Sequence, residues 1–146
     1  MRIASGDFMH NKFIPARFTC DGEDINPSLN FFEVPEKAVS LALIVDDPDA
    51  GGGGWVHWLV WDIDPKTVVI QPDEVPVGAT EGTTSSGSTG YGGPCPPQGA
   101  HRYFFTLYAL DDRLDLRPTD GKEELLQAMQ GHIIDQAELV GLYEKN

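Results

Sequence analysis

Hydrophobic residues fall into short blocks separated by turn-forming residues, never into one long run. Residues 55–63 are apolar at both alternating positions, with Trp55, His57, Leu59, Trp61 and Ile63 at the odd ones and Val56, Trp58 and Val60 among the even. A strand covered on both faces reads this way, which predicts a central position in a sheet. Residues 38–45 and 102–110 have the same character, and 29–34 and 67–70 predict shorter strands. Residues 1–18 alternate patchily through Ile3, Phe8, Phe13 and Ile14, broken by Asn11 and Pro15, and read as short strands at a sheet edge. The period changes once. Leu125, Leu126, Met129, Ile133 and Ala137 recur at helical spacing behind Asp120, whose capping-box partner would be Glu123. That predicts a helix from 120 to near 138, weakened at Gly131, with residues 139–143 returning to the sheet as a strand. The pattern is that of a mainly β domain, an antiparallel sandwich with one helix towards the C-terminal end.

Between these elements two stretches carry turn chemistry. Residues 19–27 contain Cys20-Asp21-Gly22-Glu23-Asp24. Residues 71–100 are almost all loop, with a linker-like run from Thr83 to Gly90 followed by the stiff Tyr91-Gly92-Gly93-Pro94-Cys95-Pro96-Pro97. Prolines fix φ, and paired glycines let backbone amides approach a ligand closely. A long connection of this kind inside one domain reads as a binding loop rather than a domain boundary, so residues 1–146 form a single domain.

Composition narrows the function. The 146 residues are 40% hydrophobic with a net charge of −13, ordinary for a globular domain and wrong for bulk attraction to nucleic acid or anionic membrane. No apolar run is long enough for a transmembrane helix, and no leader is visible, so a cytoplasmic location is the default expectation. Two cysteines, Cys20 and Cys95, do not make a disulfide framework. In a reducing compartment they are expected as free thiols, with a bridge between these two turn-rich loops as the alternative.

The candidate chemistry gathers at Asp46-Asp47-Pro48-Asp49-Ala50, where an apolar run ends and a glycine run, residues 51–54, turns the chain into the block bearing His57. Hairpin geometry brings His57 back beside Asp47 or Asp49. A second imidazole, His101, opens another strand after the Gly/Pro loop, and Tyr103 faces the same side. Imidazoles, a phenol and loop amides donate to an oxyanion, while a buried Asp could hold His57 in one tautomer and raise its pKa, or receive the ammonium of a zwitterion. Trp58 and Trp61 read as core, and Trp55, beside the glycines, as a pocket residue. A metal centre has no local ligand motif, and Cys95 lacks the setting of a nucleophile, so no metal, cofactor or catalytic residue is expected.

These two segments, Asp47-Pro48-Asp49-Ala50 with Trp55-Val56-His57-Trp58 and Gly90-Tyr91-Gly92-Gly93-Pro94-Cys95-Pro96-Pro97 with His101-Arg102-Tyr103, resemble those of the phosphatidylethanolamine-binding protein family, which includes the Raf kinase inhibitor-like proteins. The compact prokaryotic branch is the closer likeness and spans essentially the whole chain. The resemblance implies a β-sandwich with a small anion pocket formed by Asp47, His57, His101 and Tyr103 and by backbone around Cys95 and Pro96, with Asp49 and Trp55 shaping the rim. Gly51 stands where the family usually has proline, and the sequence stops soon after Tyr143, without the helix that overhangs the pocket in eukaryotic members; a more open pocket is expected. The implied function is non-enzymatic binding of a small phosphorylated or anionic ligand, with regulation of a kinase or protease partner and a homodimer both left open. The alternative is a hydrolase or lyase using an Asp47/His57 pair.

Overall fold

A computed structural model describes all residues, Met1 to Asn146. Nine strands form two sheets: β1 (Arg2–Ala4), β3 (Leu29–Phe32) and β6 (Val69–Ile70) in a small antiparallel one, and β2 (Lys12–Phe13), β4 (Ser40–Asp47), β5 (Trp55–Ile63), β7 (Thr80–Glu81), β8 (Ala100–Leu110) and β9 (Ile133–Glu144) in a larger one. The larger sheet runs β2-β9-β8-β4-β5-β7, antiparallel except where β2 pairs with β9.

Side-chain alternation explains why β4 and β5 are apolar on both faces. Leu41, Leu43 and Val45 join Trp58, Val60, Tyr103, Phe105 and Leu107 in a core shared with Ile3, Leu29, Phe31 and Ile70 of the small sheet. Ala42, Ile44, Leu59 and Trp61 point the other way, under α1 (Lys122–Met129), whose Leu125 and Met129 are fully buried against them. The large sheet is therefore the middle layer, sandwiched on one side and roofed by the helix on the other. β5 is not central, as its pattern predicted. Its outer neighbour is only the two-residue β7, and the second cover comes from α1 and the 83–89 loop.

The helix also differs from the expectation. It starts at Lys122, where the Gly121 N–H donates to Glu124 Oε1 at 2.8 Å, while the Asp120 carboxylate accepts the N–H of Arg117 instead of capping. It ends at Met129, not near 138. Gly131 takes φ +81°, and Ile133 and Ala137 then pair with Leu110 and Leu107 of β8. The apolar residues beyond the glycine gain more from a ladder along a central strand than from two further helical turns over solvent.

Candidate functional site

The site lies where β4, β5 and β8 end, at the mouth of the layer between the sheets. Asp47 continues the inward series of Leu43 and Val45, and His101 continues that of Tyr103 and Phe105. Strict alternation would turn His57 the other way, with Leu59 and Trp61. A β-bulge corrects this: Val45 faces Trp58 but the next residue, Asp46, faces Val56, so His57 is the extra residue. Bulges re-aim side chains in this way. The ring of His57 thus meets Tyr103 edge-on, with centroids 5.3 Å apart.

Together with the loops at 18–24 and 91–97 these strands enclose a cavity of about 510 Å³. Seven of the expected residues line it: Asp47, Trp55, His57, Cys95, Pro96, His101 and Tyr103. Asp49 does not. Its carboxylate is turned to Arg102, accepting from Nη2 at 2.8 Å, Nε at 3.0 Å and the backbone N–H at 2.9 Å, and these bonds hold its pKa down at about 2. Asp49 fixes the rim through the backbone of β8, the strand that carries His101.

Each imidazole is anchored by Nδ1. That of His57 meets the Gly92 carbonyl at 2.7 Å, and since a carbonyl only accepts, Nδ1 carries the proton. That of His101 meets Asp47 Oδ2 at 2.6 Å, and the other oxygen of Asp47 accepts the Asp49 N–H at 2.8 Å. The carboxylate therefore orients His101, not His57 as the sequence suggested. Nor is the His57 pKa raised: burial pushes it below the ordinary imidazole value, against the smaller opposing effects of the Gly92 bond and the Asp47 charge. Burial likewise pushes the Tyr103 phenol well up, with the Asp47 charge adding to it, so the phenol stays a neutral donor.

Three wall residues carried no sequence signal of their own. Asp24, in the left-handed region at φ +59°, accepts the Gly93 N–H at 2.7 Å and so fastens one loop to the other. Thr84 and Ser86 present hydroxyls joined at 2.9 Å from the run that composition alone marks as a linker. The cysteines correct an expectation too. They are not free thiols but a Cys20–Cys95 disulfide, with Cα atoms 5.5 Å apart across a sequence separation of 75. The Cys20 N–H already donates to the Pro94 carbonyl at 3.1 Å, which brings the two loops into bridging range. Among the wall residues there is no lysine or arginine, and no cluster of three or more His, Cys, Asp or Glu side chains is arranged to hold a metal ion.

A family profile described as phosphatidylethanolamine-binding protein matches residues 4–144. The chain belongs to the phosphatidylethanolamine-binding protein family. A UPF0098 protein of Methanothermobacter thermautotrophicus is 48% identical, with 99% of each chain covered. Another from Chlamydia pneumoniae is 43% identical over the full length of both. Among solved structures, a phosphatidylethanolamine-binding protein homolog from Chlamydia trachomatis superposes with a TM-score of 0.95 at 41% identity, covering 99% of this chain and 97% of that one. YbcL of Escherichia coli, described as a new member of the mammalian family, gives 0.93 at 28% identity over 99% and 98%. Membership makes the protein a binding-type member of this family. No helix in it is long and apolar enough to cross a membrane.

Proposed function

We propose that the cavity binds small phosphorylated or carboxylated groups without turning them over. The observation that carries this is the charge inventory of the wall. Two imidazoles and a neutral phenol converge on a space that holds no lysine or arginine and whose two carboxylates, Asp24 and Asp47, are already engaged by the Gly93 N–H and by His101, so the positive charge an anion needs must come from the imidazoles. With Nδ1 committed to Gly92 or Asp47, each ring has only Nε2 left for a ligand. Neutral, that atom is an acceptor and repels an anion; protonated, it donates. The acid–base pair of a hydrolase reading from sequence is not formed, because Asp47 bonds His101 rather than His57.

Binding is therefore proton-linked, and the sign follows. Buried His57 takes up its proton only below the ordinary imidazole value of 6.5, so affinity rises as pH falls through that region and declines above it, by up to roughly tenfold per pH unit for one linked proton. NMR titration with inorganic phosphate and phosphoethanolamine, following the histidine ring resonances from acid to mildly alkaline pH, tests this. Sulfate, whose charge is constant over that range, separates protonation of the rings from that of the ligand. The expected result is shifts confined to His57 and His101, with an affinity gradient that flattens in His57→Ala. Affinity that is flat with pH removes the imidazoles as donors. Turnover of a phosphoester panel, lost in His57→Ala, would make the protein an enzyme.

A further inference from the structure

The loop carrying Gly92 to Pro97 is held to the opposite wall by two kinds of fastening. Its first half is hydrogen-bonded: Tyr91 Oη donates to the Phe18 carbonyl at 2.7 Å, the Gly93 N–H to Asp24 Oδ1 at 2.7 Å, and the Cys20 N–H to the Pro94 carbonyl at 3.1 Å. Its second half, residues 95–99, makes no hydrogen bond at all before β8 begins at Ala100. What fastens it is the Cys20–Cys95 disulfide. Both cysteines are solvent-exposed and both line the cavity, beside Pro96 and Pro97 of the same half-loop.

We infer that the Cys20–Cys95 pair is a thiol-exchange site whose redox state sets the shape and ligand affinity of the cavity. The affinity part of this inference depends on the anion-binding reading above; the part concerning shape does not. The chemistry balances without any group beyond a dithiol reductant. One thiolate of the reductant attacks an exposed cysteine sulfur, the S–S bond breaks, and the other cysteine leaves as a thiolate that takes up a proton. The second thiol of the reductant then resolves the mixed disulfide. Two electrons have moved: the protein holds two thiols and the reductant is a disulfide. Released, residues 95–99 lose their only covalent or hydrogen-bonded tie to the facing wall, and only the packing of buried Pro96 is left to hold them. Residues 91–94, and with them the Gly92 anchor of His57, stay in place through bonds that need no sulfur. The cavity thus keeps its floor and loses one side, and a ligand has to order that side itself on binding.

The test compares the full chain in its oxidised and dithiol-reduced forms, with thiol counts of none and two confirming each state, and with Cys20→Ser/Cys95→Ser as a reduced mimic immune to reoxidation. The first readout is backbone order by NMR relaxation. Reduction should lower the order parameters at Cys95, Gln98 and Gly99 while those at Gly92 and Gly93 are unchanged. The second is affinity for inorganic phosphate, expected to weaken roughly tenfold on reduction through lost preorganisation. Equal order parameters and equal affinity in both forms would overturn the inference. So would global unfolding of both the reduced protein and the double variant, since the bridge would then be a structural staple only. If neither form binds phosphate, the anion-binding reading fails, and the order parameters alone decide whether the cavity wall is redox-sensitive.

Discussion

At the residue scale the site is set by side chains whose role is to position others. Asp24 and Asp49 hold backbone: one takes the Gly93 N–H, the other the Arg102 N–H. Gly93 makes the first of these possible. A Cβ there would stand 2.4 Å from Asp24 Oδ1 and 2.4 Å from the Phe18 carbonyl oxygen. Part of that obstacle is backbone, so it cannot rotate away. Gly93→Ala should lose roughly 2 kcal/mol in urea or thermal unfolding, and the His57 ring resonance should shift, because Gly92 next door carries the His57 anchor. An unchanged His57 resonance in a destabilised variant would separate the loop from the imidazole. The residue types at this site were legible in the sequence. Their pairing was not: an Asp near two histidines in sequence says nothing of which ring it will meet.

At the scale of elements, two local backbone departures shape the molecule. The bulge at His57 turns one imidazole onto the cavity side of β5, and Gly131 at φ +81° ends α1 and frees the following residues for β9. Gly131 has open space around it, so Gly131→Ala meets no clash and isolates the conformational term. It should cost about 1 kcal/mol in chemical denaturation with the same m-value. A neutral or stabilising result would mean that the turn relaxes to a right-handed conformation. Helical period ran through Leu125, Leu126 and Met129 into Ile133 and Ala137 without a break, so the sequence pattern favoured one long helix. Pairing with Leu110 and Leu107 overrode it. Local periodicity reports which residues are apolar, while the partner that buries them is fixed by the sheet.

For the whole molecule, the disulfide closes a loop of 75 residues between two turn-rich segments. Such a constraint acts mainly on the unfolded chain, and removing it in Cys20→Ser/Cys95→Ser should cost about 2–4 kcal/mol of unfolding free energy. The variant should remain folded at 25 °C, because the core between the sheets and the cluster under α1 do not include either cysteine. Thermal unfolding followed by circular dichroism checks both statements, and retained near-ultraviolet signal from Trp58 and Trp61, both fully buried, would report intact packing.

The sequence by itself determined the mainly β class, the long strands at Trp55–Ile63 and Ala100–Leu110 nearly to their ends, and seven of the residues around one cavity. These follow from alternation, turn chemistry and two specific motifs, all of which are local. Only the tertiary structure decided that Asp47 serves His101, that His57 is turned by a bulge and kept low in pKa by burial, that Asp49 faces Arg102, and that Cys20 and Cys95 are joined. Each of those depends on atoms brought together from distant parts of the chain, or on how deeply a group is buried, and neither quantity is written in any local stretch.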